Sequence, residues 1–122
     1  MKKKEKTIEE KIVSAEGRTL GRVSTEVAMH LMGKTSPKFE RHTYSGFAVK
    51  VTNASKLKIT PKKLTEIKHL RYSGYRGGLR TTKGKETVEK KGLKELIKLA
   101  VFQMLPGNKL RREMMKHLKI EE

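Results

Sequence analysis

The chain contains no cysteine, no aspartate and no tryptophan, and its aromatic residues are three Tyr and three Phe. Without cysteine there is no disulfide framework, no thiolate zinc site and no cysteine nucleophile. The lack of disulfides also fits a reducing compartment. Aspartate is a frequent ligand for Mg²⁺ and Ca²⁺ and often orients a catalytic histidine. All thirteen acids are Glu, so a metal-dependent nuclease or nucleotide hydrolase would be oddly equipped. No apolar run approaches the ~20 residues that span a bilayer. Met1–Lys11 is charged and has no apolar stretch, unlike a secretory signal, and its three glutamates argue against a mitochondrial presequence. These residues predict a soluble, intracellular protein.

What the chain has is positive charge. Thirty Lys and Arg in 122 residues give a formal net charge of +17 and a pI near 10.2. Such a surplus repels itself and opposes compaction, and a polyanion relieves it with a gain from released counterions. A single lysine is usually a solvated surface charge, but an imbalance of this size points to nucleic acid as the partner. The length fits one domain with a modest core.

The expected organisation is a charged tail over Met1–Lys11 and a single domain over 12–122. Ile12–Ala15 reads as a small strand, and Glu16-Gly17-Arg18 as a turn. Thr19 is the expected N-cap of a helix whose Leu20, Val23, Val27 and Leu31 recur at helical spacing, with Gly33 as its stop. Lys34 to Gly46 is basic and broken by Pro37. Phe47–Val51 is nearly continuous in apolar character, as in a strand covered on both faces. Asn53-Ala54-Ser55 reads as one helical turn, Leu57–Thr60 as a short strand ended by Pro61, and Ile67–Tyr72 as another strand. Tyr72–Lys85 is glycine-rich and expected to be irregular. Leu93–Leu105 gives the strongest helical pattern, mostly buried, ended by Pro106-Gly107, and a last basic helix spans Lys109–His117. This order predicts an α/β fold: a three-layer α/β/α sandwich with a small parallel sheet of about four strands.

No motif offers catalysis. Gly17-Arg18-Thr19-Leu20-Gly21-Arg22 lies between strand and helix, where a phosphate loop could sit, but lacks the G-x-G-x-x-G spacing. A tight turn with close packing explains it, against the rival of a nucleotide-using enzyme. His30, His42, His69 and His117 form no metal-ligand spacing and no nucleophile arrangement. His42 and His69 lie in basic stretches and could donate to phosphates, whereas His30 and His117 read as surface or packing residues. No cofactor, metal or small-molecule substrate is expected.

The segment that stands apart runs from Lys68 to Lys85, with six Lys or Arg and no acid. Arg71, Arg76 and Arg80 supply planar donor forks matched to phosphate, and Tyr72 and Tyr75 offer stacking faces. Gly77 and Gly78 let the backbone approach a sugar-phosphate surface. A flexible solvated loop has a similar composition, but interleaving of charge with aromatics favours RNA contact. Further basic clusters are Lys34, Lys38 and Arg41 beside His42; Lys56, Lys58, Lys62 and Lys63; and Lys109, Arg111, Arg112, Lys116 and Lys119.

With these residues in view, the chain resembles the bacterial-type large-subunit ribosomal protein L-thirteen family. The resemblance rests on Thr19-Leu20-Gly21-Arg22 and its helix ending Leu31-Met32-Gly33-Lys34, then Val51-Thr52-Asn53-Ala54 with Lys56, and Lys63-Leu64-Thr65. It continues through Tyr72-Ser73-Gly74-Tyr75 with Gly77-Gly78-Leu79, Met104-Leu105-Pro106, and Leu110-Arg111 with Met114 and Lys116. It implies a parallel four-stranded sheet between helices and a structural role in the cytoplasmic ribosome. The implied partners are large-subunit rRNA, bound early in assembly, and neighbouring large-subunit proteins, with no membrane. Binding of its own messenger is a secondary role so implied. The expected RNA-contacting residues are the matched basic, tyrosine and glycine positions named above. The alternative from a different class is a non-ribosomal basic module that binds RNA or DNA.

Overall fold

The computed structural model describes residues 9–44 and 46–122. The expected charged tail therefore lies outside the described residues up to Ile8, and strand β1 (Glu10–Ser14) already includes Glu10 and Lys11. Helix α1 (Leu20–Met32) follows, then strand β2 (Ala48–Thr52), a 3₁₀ turn (Ala54–Lys56) and the short helix α2 (Pro61–Glu66). Strands β3 (Lys68–Tyr72) and β4 (Leu79–Lys83) form a hairpin, and helices α3 (Gly84–Lys91), α4 (Leu93–Met104) and α5 (Leu110–Lys116) lead to strand β5 (Leu118–Ile120).

Helix α1 begins and ends where its sequence says it should. Thr19 holds the extended backbone of an N-cap, although its side chain makes no capping bond. At the other end Gly33 takes φ 79°, and its amide donates to the His30 carbonyl at 3.1 Å. The Lys34 amide reaches the Met29 carbonyl at 3.2 Å, which completes a Schellman stop. A β-carbon would be strained in that left-handed position, so glycine is what ends the helix cleanly. Between these ends Leu20, Val23, Val27, Ala28 and Leu31 form one buried stripe.

That stripe packs on β1 and β2 and also on α4. The parallel sheet has the order β1-β2-β5, with Val13 opposite Val51 and Val51 opposite Ile120. Val13, Val49, Val51 and Ile120 turn into the core, where they join Leu96, Ile97 and Val101 of α4 and Met114 of α5. Burying side chains of this size contributes about 1.5–3 kcal/mol each before conformational entropy is set against it.

The α/β class with a parallel sheet is as expected, but its details differ. The sheet has three strands rather than about four. Leu57–Thr60 does not become a strand: Lys58 bridges Thr19 alone, its amide donating to the Arg18 carbonyl at 2.9 Å. Thr60 instead caps α2, accepting from the Lys63 amide with Pro61 at the first helical position. The strand expected at Ile67–Tyr72 exists, yet it folds back antiparallel on β4, outside the parallel sheet. Tyr72 and Leu79–Lys83 of the stretch expected to be irregular are therefore paired backbone, and α3 begins at Gly84 within it. β2 is buried on one face only. Lys50 and Thr52 on the other face are half-buried beside Ile12, which is 70% exposed. Helix α4 is buried along a stripe rather than all round. Phe102 and Met104 are exposed, and the Arg111 guanidinium lies 4.0 Å over the Phe102 ring.

Candidate nucleic-acid interface

The β3–β4 hairpin carries the segment singled out in the sequence. Its register sets Lys68 opposite Lys83, Leu70 opposite Thr81, Arg71 opposite Arg80 and Tyr72 opposite Leu79. Side chains alternate along a strand, so one face presents Leu70, Tyr72 and Leu79 and the other presents Arg71 and Arg80. Leu70, Tyr72 and Leu79 are 67%, 63% and 59% exposed, and Tyr75 at the tip is 80% exposed. The tip is a tight turn in which the Gly78 amide donates to the Tyr75 carbonyl at 3.0 Å. Gly77 occupies φ 74° at its third position, where only a residue without a β-carbon sits unstrained. Arg76 stands at the crest of this turn, exposed. Behind the tip, Arg71, Ser73, Gly77, Gly78 and Arg80 line a cavity of about 330 Å³.

The remaining predicted residues fall into two more places. Lys34 and Arg41 share a groove of about 320 Å³ with Pro106, Asn108, Leu110 and Met114, so the fold brings the 34–41 cluster against the start of α5. Lys109 and Arg112 are exposed on that helix and its approach, while Arg111 is half-buried by its stacking on Phe102. Lys38 is exposed, as is His42, whose ring lies 3.6 Å from the Glu40 carboxylate.

The cluster of Lys56, Lys58, Lys62 and Lys63 is divided by the fold. Lys56 donates to Glu16 at 3.2 Å, and Lys62 approaches Glu66 at 4.0 Å. Lys58 and Lys63 instead border a largely apolar cavity of about 520 Å³ lined also by Leu20, Ile67, Leu96 and Met104. His69 opens onto the same cavity. Its Nδ1 lies 3.4 Å from Gln103 Nε2 and its Nε2 is enclosed, so it is not placed to donate to phosphate as the sequence suggested. His117 is a packing residue, stacked on Tyr44 with ring centroids 5.3 Å apart. Burial, and then the Glu113 carboxylate, push the Tyr44 hydroxyl above the ordinary tyrosine value.

The cations of the hairpin have no acid partner among the described residues. Among the described residues, the ion pairs engage Arg18, His30, His42, Lys50, Lys56 and Lys62, and none engages Lys68, Arg71, Arg76, Arg80 or Lys83. Sequence reasoning missed Ser73 as a member of the site. The strand alternation that puts Ser73 on the face of Arg71 was its only signal. The Gly17–Arg22 segment is a turn that runs into the first residues of α1: the Gly17 amide donates to the Lys56 carbonyl at 3.1 Å, and Arg18 pairs with Glu26 at 2.6 Å. Among the described residues no group of three His or Glu could hold a metal ion, and no helix is long and apolar enough to cross a membrane.

These features define a class: a small, strongly basic α/β scaffold with an exposed hairpin that presents unpaired cations. The model of the family described as Ribosomal protein L13 matches residues 9–121. The large ribosomal subunit protein uL13 of Thermosipho africanus is 40% identical over 120 residues, covering 98% of this chain and 80% of that protein. Its counterpart in Clostridioides difficile is 43% identical over 109 residues, 89% of this chain and 76% of that protein. The chain belongs to the ribosomal protein L13 family. It is thus a structural, non-enzymatic component of the cytoplasmic ribosome, and the readings as a nucleotide-using enzyme and as a non-ribosomal module fall away.

Proposed function

We propose that the chain binds large-subunit rRNA and supports assembly of that subunit at an early stage, beside neighbouring large-subunit proteins. The observation that carries this reading is the β3–β4 hairpin, a projecting two-stranded element whose five Lys and Arg have no acid partner among the described residues. Cations left unpaired in the free protein gain most when phosphates replace their counterions. The exposed Tyr72 and Tyr75 supply faces for unstacked bases. The groove joining Lys34 and Arg41 to α5, flanked by the exposed Lys109 and Arg112, offers a second basic surface. Specificity then comes from RNA shape and 2′-hydroxyl contacts rather than from a base sequence.

Sedimentation of a lysate through sucrose, before and after a moderate salt wash, tests this. Co-migration with the large subunit that survives the wash supports it. Replacement of Arg71, Arg76 and Arg80 together by Gln is expected to weaken binding to protein-free large-subunit rRNA and lower its salt dependence while the fold is retained. Unchanged binding would remove the hairpin from the interface. Competition by a transcript of the chain's own operon tests the secondary messenger role.

A further inference from the structure

The hairpin register contains a pairing that makes poor sense in the free protein. Arg71 and Arg80 are directly opposite, which puts their Cβ atoms about 5 Å apart, and like charges so placed are destabilising. Neither has an acid partner among the described residues. An anion between the two members would relieve that repulsion. The cavity behind the tip is bounded by both arginines and by Ser73, and it is closed at the tip by Gly77 and Gly78. A β-carbon at Gly78 would collide with Ser73 Oγ and sit 3.0 Å from the Tyr75 carbonyl oxygen, so the tight turn that shapes this floor depends on glycine there.

We propose that Arg71 and Arg80 form a clamp for one phosphate group of the RNA, held in this cavity by both guanidinium forks with the Ser73 hydroxyl as a further donor. Arginine suits this task because its planar fork meets phosphate oxygens two at a time. The inference rests on the proposed rRNA binding and deepens it: two arginines serve one phosphodiester, not two. Arg76, at the crest of the turn, is outside the clamp and contacts the RNA independently. The opposite face of the hairpin, with Leu70, Tyr72 and Leu79, is left for bases and riboses.

The clamp predicts a non-additive salt dependence. Binding of the full chain to protein-free large-subunit rRNA is measured over a range of salt for the wild type, Arg71→Gln, Arg80→Gln and the double variant. The double variant is expected to lower the slope of log K against log salt by about 0.7–0.9, one phosphate's worth, and each single variant by less. At fixed salt the double variant binds about 10–100-fold more weakly. A fall of about twice that slope would assign a separate phosphate to each arginine and overturn the clamp, leaving rRNA binding intact. An unchanged slope would overturn it as well. Failure of the wild type to bind the rRNA at all would instead remove the reading on which the clamp rests. Inorganic phosphate that protects the hairpin amides from exchange as fully as rRNA does would make this a free-anion site and overturn the assignment to an RNA phosphate.

Discussion

The packed body and the projecting hairpin of this molecule solve opposite problems with the same chain. In the body, Leu31, Leu96 and Ile97 are fully buried, and among the described residues no Lys or Arg enters the cluster around them. In the hairpin, Leu70, Tyr72 and Leu79 remain in solvent, and cations face each other across the strands. The body is stabilised by what it removes from water. The hairpin is two strands with little packed beneath them, and an isolated two-stranded ribbon is marginal by itself. Its anchorage lies at its base, where His69 meets Gln103 of α4 and the Gly84 amide donates to the Ile67 carbonyl at 2.8 Å. The difference teaches that stability and recognition are carried by separate residues here, so each can be altered with the other left largely intact.

The sharpest way to break that comparison is to damage the body. Leu96→Ala leaves a cavity under α1 and is expected to cost about 2–5 kcal/mol, read in denaturant titration, a large part of the stability of a domain this size. Damage to the hairpin is expected to stay local. Gly77→Ala strains the left-handed turn position by about 1–2 kcal/mol. Hydrogen exchange should quicken at Ser73, whose amide donates to the Gly78 carbonyl at 3.4 Å, while the global midpoint hardly moves. A large fall in that midpoint would show the hairpin to be part of the cooperative core. The smallest effect expected is at Tyr44, whose hydroxyl is held above its ordinary value of 10.0 by burial and by Glu113. The unfolded chain then releases this proton more readily than the folded one. The contribution is fully present below pH 10 and is lost as pH rises through the folded value. Wild type should therefore lose stability faster than Tyr44→Phe in alkaline titration.

Much of the body was legible in the sequence because its signals are local. Thr19, the apolar spacing through Leu31 and Gly33 define α1 without reference to anything distant. Leu93–Met104 declared itself in the same way, although which of its apolar residues would be covered depended on where Arg111 lay. The sheet was less legible. Leu118–Ile120 is too short for periodicity to register, and its partner is Val49–Val51, far back in the chain. Of the site, the basic, tyrosine and glycine residues were legible by type. Their arrangement was not, because the opposition of Arg71 and Arg80 follows from strand register. The meeting of Lys34 and Arg41 with α5 likewise follows from tertiary folding. His69 misled for a related reason: its ring turns to Gln103 of α4, which lies 34 residues further along the chain.

The position of β5 in the sheet has a consequence for the order of events during synthesis. Val51 must wait for Ile120 before the sheet has its third strand, and the Ala54 amide waits for the Glu121 carbonyl, which it reaches at 3.2 Å. Everything between them, the hairpin and α3 to α5 included, leaves the ribosome first, over several seconds at ordinary rates of elongation. The hairpin closes through local contacts in microseconds and can form in that interval. The exposed hairpin is thus made ready early, and a three-residue edge strand added late completes the sheet of the body.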